Sequence, residues 1–176
     1  MPLELLTNFS KSAFRLESLP EYRIESEAVA LSEFLKKGEA DMSNEKDLLK
    51  RCELIKEKKS LGATIDRARI ICTPATDYTR FEMTCSYPHS VKAGETIRLL
   101  SEDDFDIACD EEELDEVFNR WGALDFWLLD DKQLYILDYD DDGTYLGANE
   151  SADEEDIKDA MRIRDAVMSI NHFVEV

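Results

Sequence analysis

The sequence predicts a single α/β domain with a mixed sheet, one parallel β–α–β pair plus an antiparallel meander, covered by helices. Three observations carry that reading. Residues 125–148, DFWLLDDKQLYILDYDDDGTYLGA, contain three short apolar runs separated by Asp130-Asp131-Lys132 and by Asp140-Asp141-Asp142-Gly143. Asp-Gly between apolar runs is a strong hairpin signal, because a tight turn needs positive φ. TIDRARIICTP (64–74) and ETIRLL (95–100) read as strands on either side of a helical stretch, the order a parallel pair requires. The remaining segments carry amphipathic stripes, and 176 residues with 43% hydrophobic content suffice for one buried core.

The elements follow in order. Residues 1–24 show no clean period, and Phe9, Phe14, Leu16, Leu19 and Tyr22 are spread along a stretch broken by Pro20. They read as an N-terminal arm packing on a domain at 25–176. A first helix is expected from an N-cap at Ser26 to Gly38, with Val29, Ala30, Phe34 and Leu35 at roughly helical spacing. A second starts near Ser43 or Asn44, carries Leu48, Leu49, Cys52 and Ile55, and ends in a basic turn before Gly62. Between the two strands, a helix is capped at Thr76 or Asp77 and broken by Pro88. Leu114, Val117, Phe118 and Trp121 recur at i, i+3, i+4 and i+7, so the acid-rich stretch 110–121 is an amphipathic helix. In the meander, alternation places Tyr135, Leu137 and Tyr139 on one face, and Phe126, Leu128, Tyr135, Leu137 and Leu146 are the expected core positions. A last helix begins at Ser151 or Asp153, with acids in its first turn.

Charge narrows the function classes. Residues 1–100 carry 16 acids and 16 bases, whereas residues 101–176 carry 25 acids and 5 bases and so hold the whole net charge of −20. Such a half is repelled by phosphate backbones and anionic membranes, so neither direct nucleic-acid binding nor a membrane partner is expected. The sharper reading is a docking face for a basic protein, made by Asp110, Glu111, Glu112, Glu113, Asp115 and Glu116. No window is long and apolar enough to span a bilayer, and MPLELLTNFSKS lacks a charged segment followed by an apolar run. A cytoplasmic protein is expected. Cys52, Cys72, Cys85 and Cys109 are widely spaced, as buried thiols rather than a zinc set.

No complete catalytic or cofactor motif occurs, so no catalytic residue, metal site or cofactor is assigned and a non-enzymatic protein is favoured. Asp138-x-Asp140-x-Asp142-Gly143 opens like a calcium-binding loop, but the twelfth position is Asn149 instead of a bidentate Glu and the flanks read as strands. A hairpin turn with solvated carboxylates is the reading, with no specific calcium site. DFWLLDD (125–131) looks like the tail of a phospholipase-D half site, yet the nucleophilic His and its Lys are missing. His89 and His172 have no partner at a supporting spacing. Asp77, Arg80, Glu82 and Trp127 are the candidates for lining a ligand pocket.

FSKSAFRLESLPEY (9–22), ATDYTRFEM (75–83), AGETIRLL (93–100) and the 125–148 meander together resemble an uncharacterised bacterial domain family of about this length. The resemblance implies a chain encoded beside helix-turn-helix regulators and similar in pattern to degenerate phospholipase-D-like sensor modules. The expected function is an acidic interaction protein, either an accessory to a DNA-binding regulator or an antitoxin-like neutraliser of a basic protein. The alternatives are a degenerate phospholipase-D-like ligand sensor and an enzyme with a pocket near Arg80 and Trp127.

Overall fold

The computed structural model describes residues 3–111, 114–122, 124–170 and 174–175. Its strands are β1 (Ser12–Glu17), β2 (Thr64–Ile71), β3 (Thr96–Ser101), β4 (Phe126–Leu129), β5 (Gln133–Tyr139), β6 (Tyr145–Ser151) and the two-residue β7 (Val174–Glu175). They form one sheet in the order β6-β5-β4-β1-β2-β3-β7. β1, β2 and β3 run parallel, and the other pairs are antiparallel. The mixed-sheet α/β fold and the parallel pair of 64–74 with 95–100 are therefore as expected.

The stretch expected to be an arm contains the middle strand instead. β1 pairs with β2 on one side and β4 on the other. SAFRLE is short and carries two charges, so it does not read as a buried strand. It is held in place by Asp130, whose carboxylate accepts from the Ser10 amide at 2.9 Å, Lys11 at 2.6 Å and Ser12 at 2.9 Å. Asp130 and Asp131 both adopt left-handed φ in the β4–β5 turn, a conformation Asp tolerates better than most residues.

Helices cover both faces. On one lie α1 (Ala28–Lys37), α2 (Lys46–Ser60), α3 (Asp77–Phe81), a π-turn (Glu82–Ser86) and α4 (Tyr87–Ala93). On the other lie α5 (Glu102–Glu111), α6 (Asp115–Trp121) and α7 (Glu154–Ser169). Gly38 ends α1 in the left-handed conformation, Thr76 caps α3, and Asp153 caps α7. Ser26 does not cap α1; it lies in a 3-10 turn (Glu25–Glu27) ahead of it. The second helix is entered one turn later than expected, through a 3-10 turn capped by Asp41. Pro88 does not end its helix either: it sits in the first turn of α4, where a missing N–H costs nothing, just after the π-turn.

The acid-rich helix expected at 110–121 is two helices, α5 and α6. Leu114 and Val117 are buried, and Phe118 and Trp121 pack on the same core. Two cores result. Phe14, Leu16, Ala68, Ile70, Phe126, Leu128 and Leu134 face α5–α7, whereas Ala13, Ile65, Trp127, Leu129 and Leu137 face α1–α4. The expected meander set is thus divided: Phe126 and Leu128 face one layer, Leu137 the other, and Tyr135 is only partly buried. Leu146 is 62% exposed. A sheet covered on both faces has no polar side for alternation to reveal.

Candidate ligand-binding site

Alternation along β1 and β2 puts Arg15 and Glu17, and Arg67 and Arg69, on the face beneath α1–α4. Arg15 is the cross-strand partner of Arg67, and Glu17 of Arg69. All four are buried. Like charges side by side in a dry interior demand partners. Glu17 supplies the first: Arg67 Nη1 donates to both of its oxygens at 2.9 Å, Tyr87 OH donates at 3.2 Å, and Arg15 Nε lies 3.0 Å away. Glu95, just ahead of β3, accepts from Arg67 Nε at 3.0 Å and from Arg51 Nη2 at 2.7 Å. Glu82, from the π-turn, lies 3.2 Å from Arg69 Nη2, and Arg69 Nη1 donates to the Leu19 carbonyl at 2.5 Å. Aromatic faces complete the enclosure: the Arg15 guanidinium lies 5.5 Å from the Trp127 ring and Arg69 4.9 Å from Tyr22.

The carboxyls in this network are driven apart. Burial pushes Glu17 up, but Arg15, Arg67 and Arg69 together outweigh it and hold the group down at about 2. Burial dominates at Glu82 and lifts it to about 8, since Arg69 offsets only part of that and Glu17 and Glu27 add repulsion. Burial also raises Glu95. Glu17 is therefore the carboxyl that the guanidiniums hold lowest, and Glu82 the one that burial lifts to about 8.

The network forms the floor of a cavity of about 550 Å³. Arg15, Glu17, Arg67, Glu82 and Ser86 lie deepest; Tyr22, Tyr139, Tyr145 and Leu48 are beside them; Glu25, Glu45 and Asp47 stand at the rim. The wall opposite α2 is built by the β5–β6 hairpin docking on the segment after Pro20. Arg23 N donates to the Gly143 carbonyl at 2.9 Å, and Arg23 pairs with Asp142 at 3.3 Å. A Cβ on Gly143 would stand 2.5 Å from the Glu21 carbonyl oxygen, and φ there is +77°, so the approach depends on glycine. Among the described residues, the buried Arg67 Nη2 has no hydrogen-bond partner. A cavity-lining side chain with an orphan guanidinium nitrogen has donor capacity left for an acceptor.

Of the candidate pocket residues, Glu82 alone lines this cavity. Asp77 and Arg80 pair with each other on the exposed side of α3. Trp127 is fully buried beneath Arg15. The sequence reading missed Arg15, Glu17, Arg67 and Arg69. Their signal was charge at alternate positions inside two strands, a pattern that equally describes a solvent-facing side. Of the acidic docking set, Asp110 and Glu116 are exposed. Glu112 and Glu113, and the side chains of Glu111 and Asp115, lie outside the described residues. The calcium-like run is a hairpin turn: Asp140 accepts from the amides of Asp142 at 3.0 Å and Thr144 at 2.7 Å. His89 is exposed, and His172 lies outside the described residues. The four cysteines are free thiols, three of them buried and Cys72 half-buried. Among the described residues, no cluster of His, Cys, Asp and Glu is placed to hold a metal, and no helix is long and apolar enough to cross a membrane.

A family model described as a domain of unknown function (DUF6879) matches residues 3–171. A comparison with curated proteins finds no match.

Proposed function

The chain belongs to this family of unknown function, and we propose that it is a non-enzymatic ligand-binding module, taking a small polar molecule into the cavity above β1 and β2. One observation carries the reading: a cavity of about 550 Å³ whose wall includes a buried guanidinium with an unpartnered nitrogen. Pockets for small molecules have this size and a few convergent polar groups. Arg15 and Arg67 are spoken for by Glu17 and Glu95, so they are held in place before a ligand arrives. Such preorganisation lowers the cost of binding. The test is thermal melting of the parent and of Arg67→Met against a library of cytoplasmic metabolites. A ligand at a hundred times its Kd stabilises by about 2.7 kcal/mol, or roughly 5–11 °C for a chain of this size. A shift in the parent that Arg67→Met abolishes is expected. No shift anywhere in the library, or equal shifts in both proteins, would refute the reading.

A second role is supported by a different place. Between α5 and α6 a cleft is lined by Phe105, Cys109, Phe118 and Leu124, with Asp106 and Asp110 beside them. An apolar floor within the half that holds the whole net charge suits an amphipathic cationic segment of a protein partner. In this reading the chain is a cytoplasmic accessory to a basic protein, such as a helix-turn-helix regulator, and the cavity senses a ligand for that pair. The test is to replace Glu111, Glu112 and Glu113 by Lys and measure association with a co-purified partner across salt concentrations. Docking predicts a slower on-rate and a flatter salt dependence. An on-rate unchanged at every salt concentration would leave the acid as solvation alone.

A further inference from the structure

The charges lining the cavity are sorted by depth. Deep in it stand Arg15 and Arg67, with Arg51 at the side, around the carboxylate of Glu17, which Arg15 and Arg67 hold low. At the rim stand Glu25, Glu45 and Asp47, while the rim's one cation, Arg23, is paired with Asp142 at 3.3 Å. The unpartnered Nη2 belongs to the deep set. A bare anion would satisfy that nitrogen but would pass three carboxylates on the way in. A bare cation would find attraction only at the mouth. Tyr139, Tyr145 and Leu48 also line the cavity and offer ring and aliphatic surface.

We infer that the ligand is a small zwitterion, bound with its carboxylate or similar anionic group inward at Arg67 and its ammonium outward among Glu25, Glu45 and Asp47. This rests on the cavity being a binding site, and it adds the ligand's charge pattern and direction of entry. Each end then meets opposite charge, and the aliphatic or aromatic stretch joining them lies along Tyr139 and Tyr145. The inward end gains charge-assisted hydrogen bonds in a desolvated place, where they are strongest. The outward end is more exposed and contributes less to affinity, but the rim discriminates against ligands that lack a positive charge.

The inference is tested with a homologous probe series on the full chain. ω-Amino acids from 4-aminobutyrate to 8-aminooctanoate are titrated beside the matched fatty acids and alkylamines. Binding is followed by backbone amide shifts of the cavity-lining residues. At least one ω-amino acid is expected to bind at least about tenfold tighter than both matched singly charged probes, the equivalent of one charge-assisted contact. Replacing Glu25 by Gln and Asp47 by Asn, both exposed, should erase that advantage, weakening the amino acid while leaving the fatty acid bound as tightly or more tightly, since repelling charge is removed from its path. Arg67→Met should weaken acids and zwitterions alike. If fatty acids bind as tightly as the amino acids, in the parent and in the rim variant, the ligand is a simple anion: the zwitterion inference falls and the binding site stands. If no probe shifts any cavity resonance, the zwitterion inference and the binding-site reading both fall.

Discussion

Replacing Glu17 by Gln keeps the volume of the side chain and removes its charge, so it isolates the electrostatic role of the residue at the floor of the site. Glu17 receives two hydrogen bonds from Arg67 at 2.9 Å and one from Tyr87 at 3.2 Å, and it lies 3.0 Å from Arg15. Its side chain is only 3% exposed, so bulk solvent does little to compensate its loss. The Gln amide would turn an NH2 group toward donors, and Arg15 would lose its carboxylate. Since no cavity is created, the penalty is that of an uncompensated buried charge, about 3–5 kcal/mol. With a urea slope near 2 kcal/mol/M, the unfolding midpoint should fall by about 1.5–2.5 M. The effect should depend on pH with a definite sign. Glu17 titrates at about 2 in the folded protein, below its ordinary 4.5. Its contribution is therefore complete above about pH 4.5 and is lost as pH falls toward 2, so parent and variant should converge in acid. The double variant Glu17→Gln, Arg67→Met removes an excess positive charge along with the negative one. It should be less destabilised than the two single changes added together, by at least about 1 kcal/mol. A single-variant cost under about 1 kcal/mol, or strict additivity in the cycle, would show that Glu17 does not balance these arginines.

Four further outcomes are expected. Asp130→Asn should cost about 1–2 kcal/mol and speed amide exchange at Lys11 and Ser12; burial pushes this carboxyl up, but the amides of Ser12, Lys11 and Ser10 hold it at about 2, so the loss should fade between about pH 4 and pH 2. Glu82→Gln should flatten the stability profile between about pH 4.5 and 8, because a carboxyl raised to about 8 keeps its proton in the fold and makes the parent weaker as pH rises through that interval; urea melts at pH 5 and pH 8 read it. Gly143→Ala should destabilise by about 1–3 kcal/mol in a thermal melt, through its +77° φ and a Cβ 2.5 Å from the Glu21 carbonyl oxygen, and should weaken any ligand held by that wall. Leu128→Ala and Leu137→Ala should each cost about 2–5 kcal/mol and be additive in denaturant titrations, since they serve cores on opposite faces of the sheet.

What was legible in the sequence is what local chemistry decides. The meander announced itself through Asp130-Asp131 and Asp140 to Gly143, because turns need residues that accept left-handed φ. The parallel pair followed from strand, helix and strand in order. β1 was not legible, because its position is fixed by distant groups: Asp130 anchors its start, and Arg67 meets Glu17 from the neighbouring strand. The site was illegible for the same reason. Arg15, Glu17, Arg67 and Arg69 obey the alternation of a half-exposed sheet, and only the helices laid over them turn a solvated face into a buried network. Glu82 alone was singled out from the sequence, on a helix whose π-turn aims it and Ser86 at the cavity; π-turns recur at functional sites.

The placement of β1 has a consequence for how the protein is made. Its six residues are made before those of the other described strands, yet Leu16 waits for Ala68 on one side and for Phe126 on the other. Until the chain through Leu129 has been synthesised, the sheet lacks the strand that closes against β1, and a nascent apolar segment stands unpaired. Long-range pairing of this kind slows folding and exposes intermediates to aggregation. The neutral first hundred residues and the acidic remainder therefore form one folding unit, and the charge boundary between them is no place to cut. Fragments divided there would each carry one half of the β1–β4 ladder, and recovery of native structure on mixing them would report the joining of that seam.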